Sequence, residues 1–362
     1  MKKIVSMICA VSLSATLLVG CGSSASSKNA VSSESEVASS KEAVESTPVS
    51  SEAASETVTM NPVNVNVTAM KGPTAMGMVE FMSEVDNGEL TDNNYSFTLA
   101  AAPDEVSAAL AQGTTDIAAV PANLASVLYN NTNGGVEVLA INTLGVLYIV
   151  ESGDTVQSVE DLRGKTIYAS GKGSTPEYAL NYILSQNGID PDTDVTIEWK
   201  SEHAECLSAL MSEKNGIAML PQPFVTTAQT KSDNIRVALD LTNEWDELQV
   251  DSDTSSALIT GVAVVRTEFA EEHPEAVTAF MEHYKESVNF VNENTSDAAQ
   301  LIGSYDIVPA AVAEKALPAC NIVYITGNEM KNKLSGYLNV LFEQNPKAVG
   351  GNVPGDDFYY AD

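Results

Sequence analysis

From about residue 63 onward, short apolar runs alternate with stretches whose apolar positions recur at helical spacing. The pattern predicts a strand over 63–69, a helix over 73–85 and a strand over 95–100. A short helix over 103–112 follows, with Val106, Ala109 and Leu110 on one face. Next come a buried strand over 116–120, a helix over 121–129, and strands over 136–142 and 145–150. The same order then recurs: strand 166–169, helix 176–187 closed by Gly188, strand 195–199, helix 204–211, strand 216–220, helix 223–229, strand 235–239. A loop carrying Trp245 leads to an extended run at 258–265, a long amphipathic helix over 269–292, two short helices and a last helix over 327–342. Strands alternating with helices in this way read as an α/β fold built on mainly parallel sheets flanked by helices.

The recurrence has a recognisable unit. Asp-Ile-Ala-Ala-Val-Pro at 116–121 and Gly-Ile-Ala-Met-Leu-Pro at 216–221 are equivalent strand ends. Two strand-to-helix turns also match, Lys71-Gly72-Pro73-Thr74 and Gly171-Lys172-Gly173-Ser174-Thr175-Pro176. In the second, Ser174 or Thr175 suits an N-cap, Pro176 the first turn and Glu177 the positive end of the helix. Glycines leave backbone N–H groups uncovered at such a mouth, which favours a polar or anionic ligand. A chain that builds one block, leaves for a second and returns crosses between them twice, here near 146–155 and 254–264. Two crossings restrict relative motion to a hinge. The expected organisation is lobe 1 over 62–150, lobe 2 over 151–255 and a return to lobe 1 with C-terminal helices over 256–362.

The start of the chain is different in kind. Lys2 and Lys3 precede an apolar run over 4–19 that ends in Leu18-Val19-Gly20-Cys21-Gly22. This predicts a secretory signal over 1–20. The stretch 21–61 is rich in Ser, Ala, Glu, Val and Thr and has no aromatic residue, the composition of a flexible tether. The formal net charge of −31 makes nucleic acid an unsuitable partner. Beyond the signal and Cys21 only Cys206 and Cys320 remain, expected as buried free thiols in different lobes. With three histidines (His203, His273, His283) and no paired His/Cys spacing, neither a metal site nor a cofactor is expected.

The Cys21 context resembles the bacterial lipobox, which implies that Cys21 is lipidated and moors the protein at the outer face of a membrane. With it stand Gly-Pro-Thr-Ala at 72–75, Asp-Ile-Ala-Ala-Val-Pro-Ala-Asn at 116–123 and Val-Glu-Asp-Leu-Arg-Gly-Lys-Thr-Ile at 159–167. Further along are Gly-Ser-Thr-Pro-Glu at 173–177, Leu-Pro-Gln-Pro-Phe at 220–224 and Gly-Gly-Asn-Val-Pro-Gly-Asp-Asp-Phe-Tyr-Tyr at 350–360. In this order the motifs resemble the solute-binding lipoproteins of ABC importers, in the branch that takes up sulfonates, nitrate and thiamine-pyrimidine precursors. The resemblance implies a two-lobed type II periplasmic-binding-protein fold with a two-strand hinge, a monomer with no chemistry of its own that hands a small solute to a membrane permease. It also implies a ligand site: Lys71, Gly72 and Thr74; Pro121 and Asn123; Lys172, Gly173, Ser174 and Thr175; Gln222 and Phe224. Gln222 stands where the family usually has Glu, which removes a carboxylate from the rim. Phe224, Trp245 and Tyr95 are open candidates for stacking on a ring, and the three histidines read as helix-surface residues. A small anionic or heterocyclic solute fits these features. A related-fold enzyme acting on an aromatic metabolite and a tethered sensor remain as alternatives.

Overall fold

The computed structural model describes residues 62–250 and 256–361. The signal, Cys21 and the tether lie outside the described residues. In chain order, β1 (Asn64–Met70) is followed by α1 (Pro73–Met76), α2 (Val79–Asp86), β2 (Asn94–Ala100), α3 (Pro103–Ala111), β3 (Ile117–Pro121), α4 (Ala122–Thr132) and β4 (Val136–Leu144). The second block runs β5 (Leu147–Glu151), β6 (Thr166–Ser170), α5 (Thr175–Gln186), β7 (Thr196–Lys200), α6 (His203–Ser212), β8 (Ile217–Pro221), α7 (Phe224–Lys231), β9 (Arg236–Asp240) and α8 (Leu241–Gln249). The chain then returns through β10 (Ile259–Arg266), α9 (Thr267–Glu272), α10 (Pro274–Glu293), α11 (Thr295–Ser304), α12 (Ala310–Ala316), β11 (Ile322–Ile325) and α13 (Gly327–Gln344).

Two sheets result. The first has the order β11-β4-β10-β3-β1-β2 and the second β7-β6-β8-β5-β9. Each is parallel where the βαβ units lie, β2-β1-β3 and β7-β6-β8. Each turns antiparallel where a hinge strand enters: β10 beside β3, and β5 beside β8. The two repeat prolines hold equivalent places, Pro121 opposite Gly261 and Pro221 opposite Leu147. Proline lacks a ladder N–H, so it stands at the end of the strand, where the next helix begins.

The first crossing is only Gly145-Val146, because β4 belongs to the first sheet and β5 to the second. The strand over 145–150, assigned by order to lobe 1, thus pairs in lobe 2. An apolar run of this kind carries no information about which sheet will receive it. The second crossing lies between α8 and β10.

Other expectations change for local reasons. The helix over 73–85 forms as two, interrupted at Gly77, the poorest helix former beyond the first turn. The helix over 269–292 breaks at His273, because Pro274 has no N–H and disfavours helical backbone before it. The Trp245 loop is helix α8, whose first turn is capped by Asp240 Oδ1 accepting from the Thr242 N–H at 2.9 Å.

One apolar cluster spans from sheet 1 (Val120, Ile141, Val262) through α13 (Leu334, Tyr337, Leu341) to sheet 2 (Ile149, Ile167, Met219). Trp245 sits in it, fully buried and 4.5 Å from the Tyr182 ring centroid. Tyr95 packs edge-on to Phe81 in a second cluster and donates to Asp92 Oδ2 at 3.0 Å. Both rings are core and unavailable to a solute. Cys206 and Cys320 are buried free thiols in separate clusters, and burial pushes Cys320 up to about 12.

Candidate functional site

The carboxyl ends of the parallel strands of both sheets open on one cleft of about 790 Å³. This is where an open α/β sheet leaves backbone and helix starts uncovered. From lobe 1, β1 ends at Met70 and the chain turns through Gly72, whose φ of 126° only glycine adopts without strain. That turn starts α1 at once and sets Thr74 on the cleft wall, its hydroxyl donating to Met70 O at 2.8 Å. The Lys71 ammonium is engaged by the Asp306 loop, 2.8 Å from its carbonyl and 3.5 Å from its carboxylate. Pro121 ends β3, and Asn123, 8% exposed, stands in the first turn of α4.

From lobe 2, β6 ends at Ser170 and the chain passes Gly171 and Gly173, both left-handed, before α5 begins. Ser174 donates through its hydroxyl to Gly171 O at 2.7 Å. Lys172 and Gly173 lie outside the cleft lining, and the Gly173 N–H is taken by Glu177 Oε2 at 2.5 Å. The expected row of open donors is therefore shortened by the helix's own carboxylate, since an acidic side chain in the first turn competes with any ligand for the same N–H groups. Gln222, 6% exposed, accepts from the N–H and hydroxyl of Thr226 at 3.2 and 2.9 Å and so caps the start of α7. Phe224 keeps part of its ring in the cleft.

Of the eleven residues expected at a ligand site, nine line this one cleft, and they come from both lobes. The lobes also touch across it. Thr175 Oγ1 donates to Asn123 Oδ1 at 3.4 Å and accepts from the buried Tyr337 hydroxyl at 3.0 Å.

Five lining residues with polar side chains had no place in the expected set: Ser170, Ser201, Glu202, His203 and Thr260. His203, read as a helix-surface residue, is the first residue of α6 and faces the cleft. Its Nδ1 lies 2.6 Å from Ser170 Oγ and its ring 4.9 Å from that of Phe224. Burial pushes its imidazole below the ordinary value, so it is neutral at pH 7. The signal for it was positional: like Ser170, it stands just beyond a strand's carboxyl end. Thr260 Oγ1, on hinge strand β10, is buried without a hydrogen-bond partner among the described residues. The lining is otherwise apolar, with Met70, Leu124, Val146 and six prolines, and among the described residues it contains no arginine.

A family model described as "ABC transporter, phosphonate, periplasmic substrate-binding protein" matches residues 89–314. No curated protein sequence matches the chain. Among solved structures, an ABC transporter protein from Parabacteroides distasonis superposes with a TM-score of 0.69 at 21% identity, over 82% of this chain and 98% of that one. The periplasmic aliphatic sulphonate binding protein of Escherichia coli gives 0.65 at 15% identity, over 83% and 93%. The periplasmic nitrate-binding protein of Synechocystis PCC 6803 gives 0.51 at 13%, over 69% of each chain. At these identities the structural likenesses speak for the two-lobed fold, while the family match spans more than half of the chain. The chain belongs to the phosphonate-type family of periplasmic substrate-binding proteins of ABC transporters.

Proposed function

We propose that this protein captures a small organic solute in the interlobe cleft and delivers it to the permease of an ABC importer, held at the membrane by acyl chains on Cys21. The supporting observation is convergence: Thr74 and Asn123 from one lobe and Ser174, Thr175 and Phe224 from the other wall a single cavity. A ligand that touches both walls favours the closed arrangement by its difference in affinity for the two states, which is all that capture needs.

The lining bears on the solute's charge. Lys71 is paired with Asp306, Glu202 stands on the rim, and among the described residues no guanidinium faces the cavity. A doubly ionised head group ordinarily calls for a bidentate cation. The cleft instead offers hydroxyls, amides, a neutral imidazole and an aromatic face. It suits a ring-bearing solute that is neutral or weakly anionic, held by neutral hydrogen bonds and stacking.

The test is a thermal-shift screen of heterocycles, carboxylates, sulfonates and phosphonates on the chain from residue 62, followed by calorimetry on the hits. Thr74→Ala and Ser174→Ala are each expected to weaken binding of the true solute by about tenfold, the loss of one neutral hydrogen bond. Unchanged affinity in both variants refutes the site. Lipid attachment is tested separately: palmitate labelling of the full chain expressed in a bacterium is expected to vanish in Cys21→Ala.

A further inference from the structure

We propose that His203 is the specificity-determining residue of the cleft: Ser170 holds its ring beside Phe224, and its Nε2 makes the hydrogen bond that decides the charge of the solute head group. The inference deepens the solute-capture reading and rests on it.

The argument starts from the pair itself. Ser170 is 3% exposed at the end of β6, a position fixed by strand pairing, so its Oγ is a rigid anchor. At 2.6 Å it fixes His203 Nδ1. The Phe224 ring, 4.9 Å away, restricts the imidazole from a second side. Nε2 then makes no hydrogen bond among the described residues and belongs to a ring that lines the cavity. A neutral imidazole offers one donor or one acceptor at Nε2, according to tautomer; an imidazolium offers a donor and a charge.

The charges around it are otherwise committed or on the rim. Glu205, on the same helix, caps the Ser201 N–H at 3.0 Å, and Lys200, at the end of β7, pairs with Glu198 at 2.8 Å. Across the cleft, Glu105 of α3 accepts from the Ala101 N–H at 3.0 Å, its neighbour Asp104 is exposed, and Lys71 pairs with Asp306. Buried Cys206 lies one turn along α6, with its thiol raised by burial. From the Phe224 side no charged residue lines the cavity among the described residues. Glu202 on the rim is the one carboxylate that lines the cavity among the described residues. His203 is thus the group through which the cavity can change its own charge as the pH falls below neutral. With it neutral, the cleft prefers a neutral head group; protonated, it accepts an anionic one.

The test uses two probes of one shape and different charge, benzenesulfonamide and benzenesulfonate, titrated calorimetrically against the chain from residue 62 between about pH 8 and about pH 5. The expected result is preference for the sulfonamide at the alkaline end. That preference should shrink by about tenfold or more as the imidazole takes up its proton, because anion binding and protonation are then linked. His203→Gln, which keeps a neutral hydrogen-bonding group, is expected to flatten the pH dependence. Glu202→Gln is expected to keep it. The three histidines also allow the free imidazole to be followed by NMR, His203→Gln identifying its resonance, and that resonance is expected to titrate below the ordinary range. The inference is overturned if His203→Gln retains the wild-type pH profile, if Glu202→Gln abolishes it, or if neither probe binds. Solutes bound in the broader screen with wild-type affinity and pH dependence by His203→Gln overturn it too, and leave solute capture standing.

Discussion

The hydroxyl chain behind the cleft gives the sharpest test of how the lobes are held together. Tyr337 is fully buried in α13, donates to Thr175 Oγ1 at 3.0 Å, and Thr175 in turn reaches Asn123 at 3.4 Å. Three parts of the chain far apart in sequence meet in three side chains. Tyr337→Phe removes one hydroxyl and its bond. Thr175 still has Asn123 as acceptor, so the cost is that of one net hydrogen bond, about 0.5–1.5 kcal/mol. Thr175→Val is the harsher change although it is smaller. It strands the Tyr337 hydroxyl in the core and leaves Asn123 Oδ1 without its donor. Each stranded buried group costs about 1–3 kcal/mol, so the total should be about 2–6 kcal/mol. The double variant should be milder than the sum, because Phe at 337 removes the stranded hydroxyl. Urea denaturation of the four proteins measures this directly, and small-angle scattering reports whether the weakened pair opens the lobes. If Tyr337→Phe costs more than Thr175→Val, or the two losses add, the chain is not the coupled unit described here.

Two further expectations follow from local geometry. A β-carbon at Gly145 would collide with Thr242 Oγ1 and lie 2.9 Å from Leu258 Cδ2, so Gly145→Ala should destabilise by about 1–3 kcal/mol and change the opening angle, read by denaturation and scattering; wild-type behaviour in both refutes a tight hinge at this residue. Glu151 is fully buried. Burial alone would raise its carboxyl, but hydrogen bonds from the Thr155 side chain and from the Thr155 and Val156 N–H groups, with the Arg236 guanidinium at 2.9 Å, hold it below the ordinary value. Because the folded form is the stronger acid, its contribution is present above the unfolded value near 4.3 and is lost as pH falls through the lower folded value. Glu151→Gln should therefore flatten the acid limb of the stability-versus-pH curve, and an unchanged limb refutes the assignment.

How far each part could be read from residues alone depends on the range of the interaction involved. Strand and helix positions rest on spacing along a few residues, which is why most elements of both blocks stand where the pattern puts them. Where the pattern misleads, a single residue decides: Gly77 and Pro274 each break an apolar periodicity that continues through them. The repeat of Ile-Ala-Ala-Val-Pro and Ile-Ala-Met-Leu-Pro marks two equivalent strand ends, and those ends do hold equivalent places in the two sheets. Sequence by itself therefore determined that there are two αβ blocks, where their cleft-forming turns lie, and which of Thr74, Asn123, Ser174 and Thr175 could be offered to a ligand.

What tertiary structure alone decided is partnership. Whether Leu147–Glu151 joins the first sheet or the second depends on which edge it meets, and β5 meets β8 and β9. Whether Lys71 is a free cation depends on Asp306, over two hundred residues away. Trp245 and Tyr95 are as aromatic as Phe224, yet packing buries them and leaves only Phe224 with part of its ring in the cleft. His203 acquires its role from Ser170 and Phe224, neither of them near in sequence. Periodicity is a local property that a short window of residues carries, whereas charge pairing, burial and hydrogen-bond partners are set by distance in space, which the chain acquires only by folding.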